Sequence, residues 1–380
     1  MRRLFICAAI IGLFLATSSV ASADTTTPDS GTHDSGDLCT VDYQLTHPGE
    51  CPLLGPGGSA ERRRLYDLPA NLPPLATLPL KPLTPLLTHT YAKVTTPDAP
   101  VFASPEDGVN GVVKRTLGKG FIFVSIGRVV EYGGVEFIRI NNGEYVRRGD
   151  LSLVTPSEFQ GIALAEQPKH PFAWVVRPFK PRLTPGGAVN LNGALLKRYD
   201  IVQIYAREHF DEYDWYLVGR DQWVEQRNLG VVELQHPPEG VTGKWIAVNL
   251  FEQTIAVYEG EQLVYASLVS SGLGAWPTRP GLFHIYSKLD NTNMSGAFAA
   301  DRSDYYFIED VPWVLYFDQG ISFHGTYWHD GYGFRKSHGC VNLSPRDSRW
   351  LYEWAEVDAA VYVYDPSGQT PTTPWTGGGP

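Results

Sequence analysis

The densest chemistry in this chain lies in ISFHGTYWHDGYGFRKSHGCVNLSP, residues 321–345, where His324, His329, His338 and Cys340 stand close together. A free thiol has a pKa of roughly 8.5, so only a few per cent is thiolate at neutral pH; a neighbouring imidazole can take the proton and form an ion pair with the sulfur. His324 is one candidate base. His338, two residues before Cys340, is the rival, since it shares the cysteine's face if the chain is extended. Gly339 has a separate use: attack on an amide creates an oxyanion that needs main-chain N–H donors, and a residue without Cβ lets the chain turn and the substrate approach. Ser337 and Asn342 are expected to orient this loop or touch substrate. The three histidines and Cys340 are also potential zinc ligands. Hydrolytic zinc, however, usually comes with a ligand pair on one helix and a glutamate base, which the segment lacks, so no metal and no cofactor is expected.

Cysteine bookkeeping points the same way. Of four cysteines, Cys7 falls in a leader: Arg2 and Arg3 precede an apolar run from Leu4 to Ala16, and Ala21-Ser22-Ala23 offers a cleavage pattern. Residues 1–23 therefore read as a signal peptide of a secreted protein, the run being shorter than the ~20 apolar residues of a membrane span. In an oxidising compartment Cys39 and Cys51, flanking a short polar loop, are natural disulfide partners. Cys340 is left unpaired, either as a reactive thiol or as a buried structural one. The formal charge of −10 and the absence of basic runs argue against nucleic acid or anionic membrane as partners, and no segment after the leader reads as a membrane span.

The elements that must position these residues fall into units, since 380 residues allow two or three separate cores. Residues 24–88 carry the expected disulfide loop and a leucine- and proline-rich spacer that cannot hold a helix or interior strand. An internal repeat follows: GFIFVSI (120–126), FIRINNG (137–143) and YVRRGDL (145–151) recur as DIVQIYA (200–206), WYLVGRD (215–221) and WVEQRNL (223–229). Short alternating strands with a turn before the last one predict two small β modules, at 89–155 and 170–233. They resemble bacterial SH3-like barrels, which implies wall-binding or plain spacer modules. A third unit, 244–366, opens with KWIAVNL (244–250) and TIAVYEG (254–260), which alternate as strands do. Ser344-Pro345-Arg346-Asp347 starts a short helix, with Trp350, Leu351 and Trp354 on one face. Residues 367–380 read as a disordered tail.

Taken in order, Ser271-Gly272, Pro277-Thr278-Arg279-Pro280-Gly281, His324-Gly325-Thr326 and Ser337-His338-Gly339-Cys340-Val341-Asn342 resemble the signature of the L,D-transpeptidase (YkuD) family. The resemblance implies a mostly β protein in which two SH3-like barrels precede a β-sandwich catalytic domain with few helices. It implies Cys340 as nucleophile, His324 as base steered by the Gly325 carbonyl, and an oxyanion site built from the amides of His338, Gly339 and Cys340, with His338 shaping the site. Implied partners are peptidoglycan stem peptides, with carbapenems as covalent inhibitors. The glycine-rich loop between the motifs reads as a lid whose Tyr327 and Trp328 cover substrate, with Arg335 and Lys336 as candidates for its carboxylates. An L,D-carboxypeptidase and a non-catalytic wall-binding scaffold are the alternatives.

Overall fold

Where apolar and polar residues alternate, successive side chains fall on opposite faces of a pleated chain, and a strand can bury one face. The computed structural model describes residues 68, 72–82, 84–140, 143–297, 299 and 301–373, so the leader and the Cys39/Cys51 pair lie outside the described residues. The fold is mostly β, as expected. After β1 (Thr77–Leu78), the first module comprises β2 (Thr90–Val94), β3 (Pro100–Phe102), helix α1 (Pro105–Asn110), β4 (Arg115–Thr116), β5 (Phe121–Tyr132), β6 (Val135–Ile140), β7 (Tyr145–Arg147) and β8 (Leu151–Leu153). A linking strand β9 (Ile162–Leu164) leads to the second module, β10 (Phe172–Val175), β11 (Ile201–Gln203), β12 (Ala206–Phe210), β13 (Tyr213–Gly219), β14 (Gln222–Glu225) and β15 (Leu229–Val232). In each module a single 3₁₀ turn, Arg148–Asp150 or Gln226–Asn228, precedes the last strand, at positions the repeat aligns.

The C-terminal unit contains β16 (Lys244–Asn249), β17 (Thr254–Glu259), β18 (Gln262–Leu268), β19 (Gly281–His284), β20 (Ser287–Gly296), β21 (Tyr306–Asp318), β22 (Ile321–Gly325), β23 (Val341–Leu343), helix α2 (Pro345–Trp354) and β24 (Ala360–Tyr364). One sheet runs β1-β9-β18-β17-β16-β24-β19, and a second carries β23, β22, β21 and β20. Ile246, Val248, Ile255 and Val257 of the first face Leu315, Phe323, Val341 and Leu343 of the second across a dry core that α2 closes with Leu351. Helix α2 starts as its sequence predicts: Ser344 Oγ accepts the Asp347 N–H at 3.1 Å, with Pro345 in the first turn, where its missing N–H costs nothing.

Three segments differ from expectation. The first module is not a separate bead: β5 pairs in parallel with β21, Tyr306 opposite Phe121 and Ile308 opposite Phe123, so the second sheet continues through the module as eleven strands. The joint is close-packed. A Cβ at Gly120 would sit 2.1 Å from the Tyr305 carbonyl oxygen, and Tyr91 stacks on Tyr327 with ring centroids 3.6 Å apart. Residues 72–80, read as a semi-rigid spacer, lie along the first sheet: β1 pairs with β9 at its edge, β9 with β18, and Leu75 and Leu80 pack against the core. An edge strand has unpaired N–H and C=O groups, and a proline-rich segment can satisfy them wherever its own N–H is not required. Finally, the first residues past 366 are held in place: Thr370 donates to Asp365 and receives Arg335 at 3.1 Å, leaving it 7% exposed.

Candidate active site

Parallel pairing of β22 with β23 sets His324 beside Asn342 and Phe323 beside Val341. Because alternate residues share a face, Phe323 and Val341 turn into the core, both 0% exposed, and Ser322, His324, Cys340 and Asn342 share the other side. Ser322 Oγ lies 3.8 Å from Cys340 Sγ. His324, Cys340 and Asn342 all line one cavity of ≈ 440 Å³. Gly325, next along β22, is where α2 and β21 press in: a Cβ there would meet Ser348 Oγ at 2.6 Å and Pro312 Cγ at 2.9 Å.

His324 Nδ1 is 3.4 Å from the Gly325 carbonyl oxygen, the contact the resemblance implies. A ring nitrogen facing a carbonyl carries the hydrogen, which leaves Nε2 with the lone pair a base needs. Burial lowers the pKa of this imidazole to about 4, the Gly325 contact opposing. It also raises the Cys340 thiol, against smaller lowering contacts from Ser322. Both shifts lean toward the uncharged forms of the two groups.

The loop before the thiol is stapled. Gly339 adopts φ +117°, a conformation that side chains with a Cβ rarely take, and a Cβ there would also press on the Ile321 Cδ1 tip at 2.6 Å. Its carbonyl accepts Thr278 Oγ1 at 2.7 Å, and Thr278 Oγ1 in turn accepts the Gly272 N–H at 2.9 Å, so the two distant motif segments meet here. Ser337 Oγ donates to the Cys340 carbonyl and accepts the Gly339 N–H at 3.1 Å. That amide therefore donates within the loop in this structure. His338 sits between the rings of Trp276 (4.4 Å) and Tyr306 (5.7 Å), a packed position that suits shaping the site rather than taking the proton.

His329, read in sequence as a metal candidate and as part of the glycine-rich loop, faces Asn342. Its Nδ1 accepts the Gly331 N–H at 3.0 Å, so in the neutral ring Nε2 carries the hydrogen. Nε2 lies 3.1 Å from the Asn342 amide nitrogen, while the buried Asn342 Oδ1 has no partner. Turning the amide over satisfies both groups and points its NH₂ the other way. Burial, followed by the Lys336 charge, depresses the pKa of His329 to about 4 and keeps it neutral. Among the described residues no three of His, Cys, Asp and Glu converge as a metal site.

The remaining predicted residues divide. Trp328 and Ser337 line the cavity, and the Trp328 ring stacks on His324 at 5.7 Å. Tyr327 does not: it is 1% exposed, stacked on Tyr91, and donates to the Glu309 carbonyl at 2.7 Å. Arg335 points away as well, donating to the Leu250 carbonyl at 3.0 Å, while Lys336 lines the cavity. The expected lid is packed down, with Asp330 held by Arg198 and Tyr199 of the second module and Tyr332 fully buried. Phe121, Met294, Asp304, Tyr306 and Ile308 complete the wall, none of them in a motif. Period-two alternation could have flagged Tyr306 and Ile308 as sharing a face, but not which face meets the thiol.

The chain is similar to known proteins over its C-terminal unit. Residues 243–363 match the family described as the L,D-transpeptidase catalytic domain, YkuD. YciB of Bacillus subtilis, which is classed with the L,D-transpeptidases, is 27% identical over 127 residues, 29% of this chain and 59% of that protein. L,D-transpeptidase 1 of Mycobacterium tuberculosis is 26% identical over 168 residues, 40% of this chain and 64% of that protein. The match thus spans less than two thirds of either relative. A crystal structure of an L,D-transpeptidase from Stackebrandtia nassauensis is 29% identical, covering 37% of this chain and 62% of that one at a TM-score of 0.27. Residues 243–363 of this chain are a YkuD-type L,D-transpeptidase catalytic domain.

Proposed function

We propose that the chain is an extracytoplasmic cysteine acyltransferase that cross-links peptidoglycan stem peptides. One observation carries this reading: a free cysteine just ahead of β23 and a buried imidazole on its parallel neighbour β22, both within the matched residues, line one cavity. Cys340 Sγ attacks the carbonyl joining the L- and D-centres of a tetrapeptide stem as its proton passes to His324 Nε2. His324 returns that proton to the departing amine of the terminal D-alanine, leaving a thioester on Cys340. The amine of a neighbouring stem then attacks the thioester, its surplus proton returns through His324 to the thiol, and the cross-link is released. Starting from two neutral groups avoids stabilising a buried ion pair in the free enzyme.

The test is a mass-spectrometric digest of tetrapeptide-stem peptidoglycan incubated with the protein. D-alanine release and new L,D-linked dimers are expected, both absent in Cys340→Ala. Tripeptide stems without dimers would instead identify a carboxypeptidase, in which water resolves the same thioester. A carbapenem should add one drug mass to the wild type and none to Cys340→Ala, since its strained lactam carbonyl is open to the thiol and the resulting thioester lacks a placed acceptor amine. Dimer formation by Cys340→Ala would sink the reading.

A further inference from the structure

The first module, taken from sequence as a spacer or wall anchor, reaches the cavity that holds Cys340. Phe121, the first residue of β5, lies opposite Tyr306 in the parallel pairing, and its N–H donates to the Tyr305 carbonyl at 2.9 Å. Both rings line the same cavity as the thiol, and Tyr306 also stacks on His338. Phe121 remains 41% exposed although it begins a strand whose next three residues are buried to 3% or less. A large apolar side chain left open at a cavity wall, on backbone held by its pairing with β21, is a preformed contact surface. The ring cannot easily swing away. It packs edge-on against Phe123 at 4.7 Å, and Phe123 is wedged near Tyr327 (6.1 Å) and Trp328 (6.3 Å). The close approach at Gly120 holds the strand against the catalytic unit.

Resting on the acyltransferase reading, we infer that Phe121 is a substrate-contacting, specificity-determining residue by which the N-terminal module grips the donor stem beside Tyr306. An extended peptide has alkyl faces for such a ring, while the polar wall of His324, Cys340 and Asn342 takes its reacting end. The contact forms equally in the bound ground state and the transition state, so it belongs to KM rather than kcat.

The experiment compares Phe121→Ala, Phe121→Leu and Phe121→Trp with wild type on two acyl donors: a tetrapeptide-stem muropeptide, and a carbapenem that needs little beyond the thiol and its oxyanion donors. Expected for Phe121→Ala are a KM for the muropeptide raised roughly tenfold, as losing one aromatic anchor implies, kcat within about twofold, and an unchanged rate of Cys340 acylation by the carbapenem. Phe121→Leu, which keeps a side chain over Phe123, should fall between, and Phe121→Trp should restore binding. An unchanged KM in both Ala and Leu variants would overturn the inference. So would parallel loss of muropeptide turnover and carbapenem acylation in both, which would mean general damage to the site. A wild-type protein inert toward both donors would overturn the acyltransferase reading itself, and the role of Phe121 with it.

Discussion

Cys340 and His324 are both driven toward neutrality by burial, and this sets how their chemistry must depend on pH. With its pKa lowered to about 4, His324 is an unprotonated base across the neutral range and loses that role only as pH falls through about 4. The thiol is pushed the other way and contributes no acidic thiolate limb. We predict that kcat/KM for a stem peptide is flat through neutral pH and declines about tenfold per unit below about pH 4. Alkylation of Cys340 by iodoacetamide should keep accelerating as pH rises past neutrality. An alkylation rate that levels off already in mild acid would reveal a preformed thiolate–imidazolium pair and contradict the neutral resting state.

Helix α2 shows how an element is tied to the rest of the fold by one side chain. Asp347 sits where a capping acid would, yet its carboxylate turns inward, accepting the Gly161 N–H at 2.8 Å, Tyr265 OH at 2.7 Å and Ser267 Oγ at 2.5 Å. It thereby joins α2, β18 and the chain leading into β9, and burial raises its pKa against the pull of those donors. Removing it strands three buried donors, whereas removing the Ser344 cap exposes only one N–H near a helix end. Asp347→Ala should therefore cost about 3 kcal/mol of stability and Ser344→Ala about 1 kcal/mol, measured by urea unfolding. A larger loss for Ser344→Ala would show that capping, not the inter-element network, anchors the helix.

At the scale of the whole molecule, the matched domain and the N-terminal module share one sheet. Residues 306–308 are hydrogen-bonded to β5, and Tyr327 is buried under Tyr91. The second module adds its own links: Val231 N–H donates to Glu252 at 2.9 Å, and Arg198 pairs with Asp330 at 3.1 Å. A fragment limited to residues 244–366 would expose an unpaired strand edge and the apolar side of Tyr327. We predict that it is aggregated or poorly folded by size-exclusion chromatography and NMR, while residues 68–373 give a sharp monomeric peak. A well-dispersed, stable 244–366 fragment would show that the shared sheet is dispensable for folding.

The residues proposed as nucleophile and base, and the carbonyl of Gly325 beside His324, were legible in the sequence, because each belongs to a contiguous motif whose chemistry dictates residue type at a fixed local spacing. The start of α2 was legible for the same reason: a cap and a first-turn proline act over a few residues. Strand alternation likewise indicated a mostly β architecture. Phe121, Tyr306 and Met294 on the cavity wall, and Ser322 beside the thiol, were not legible, since strand pairing brings them there and alternation does not name a partner. Tyr327 and Arg335 were placed at the substrate on composition alone, but a glycine-rich loop has no periodicity to say which side chains turn inward. The direction in which Cys340 and His324 are shifted was equally out of reach, because it follows from desolvation, a property of everything packed around the two groups and of neither residue alone.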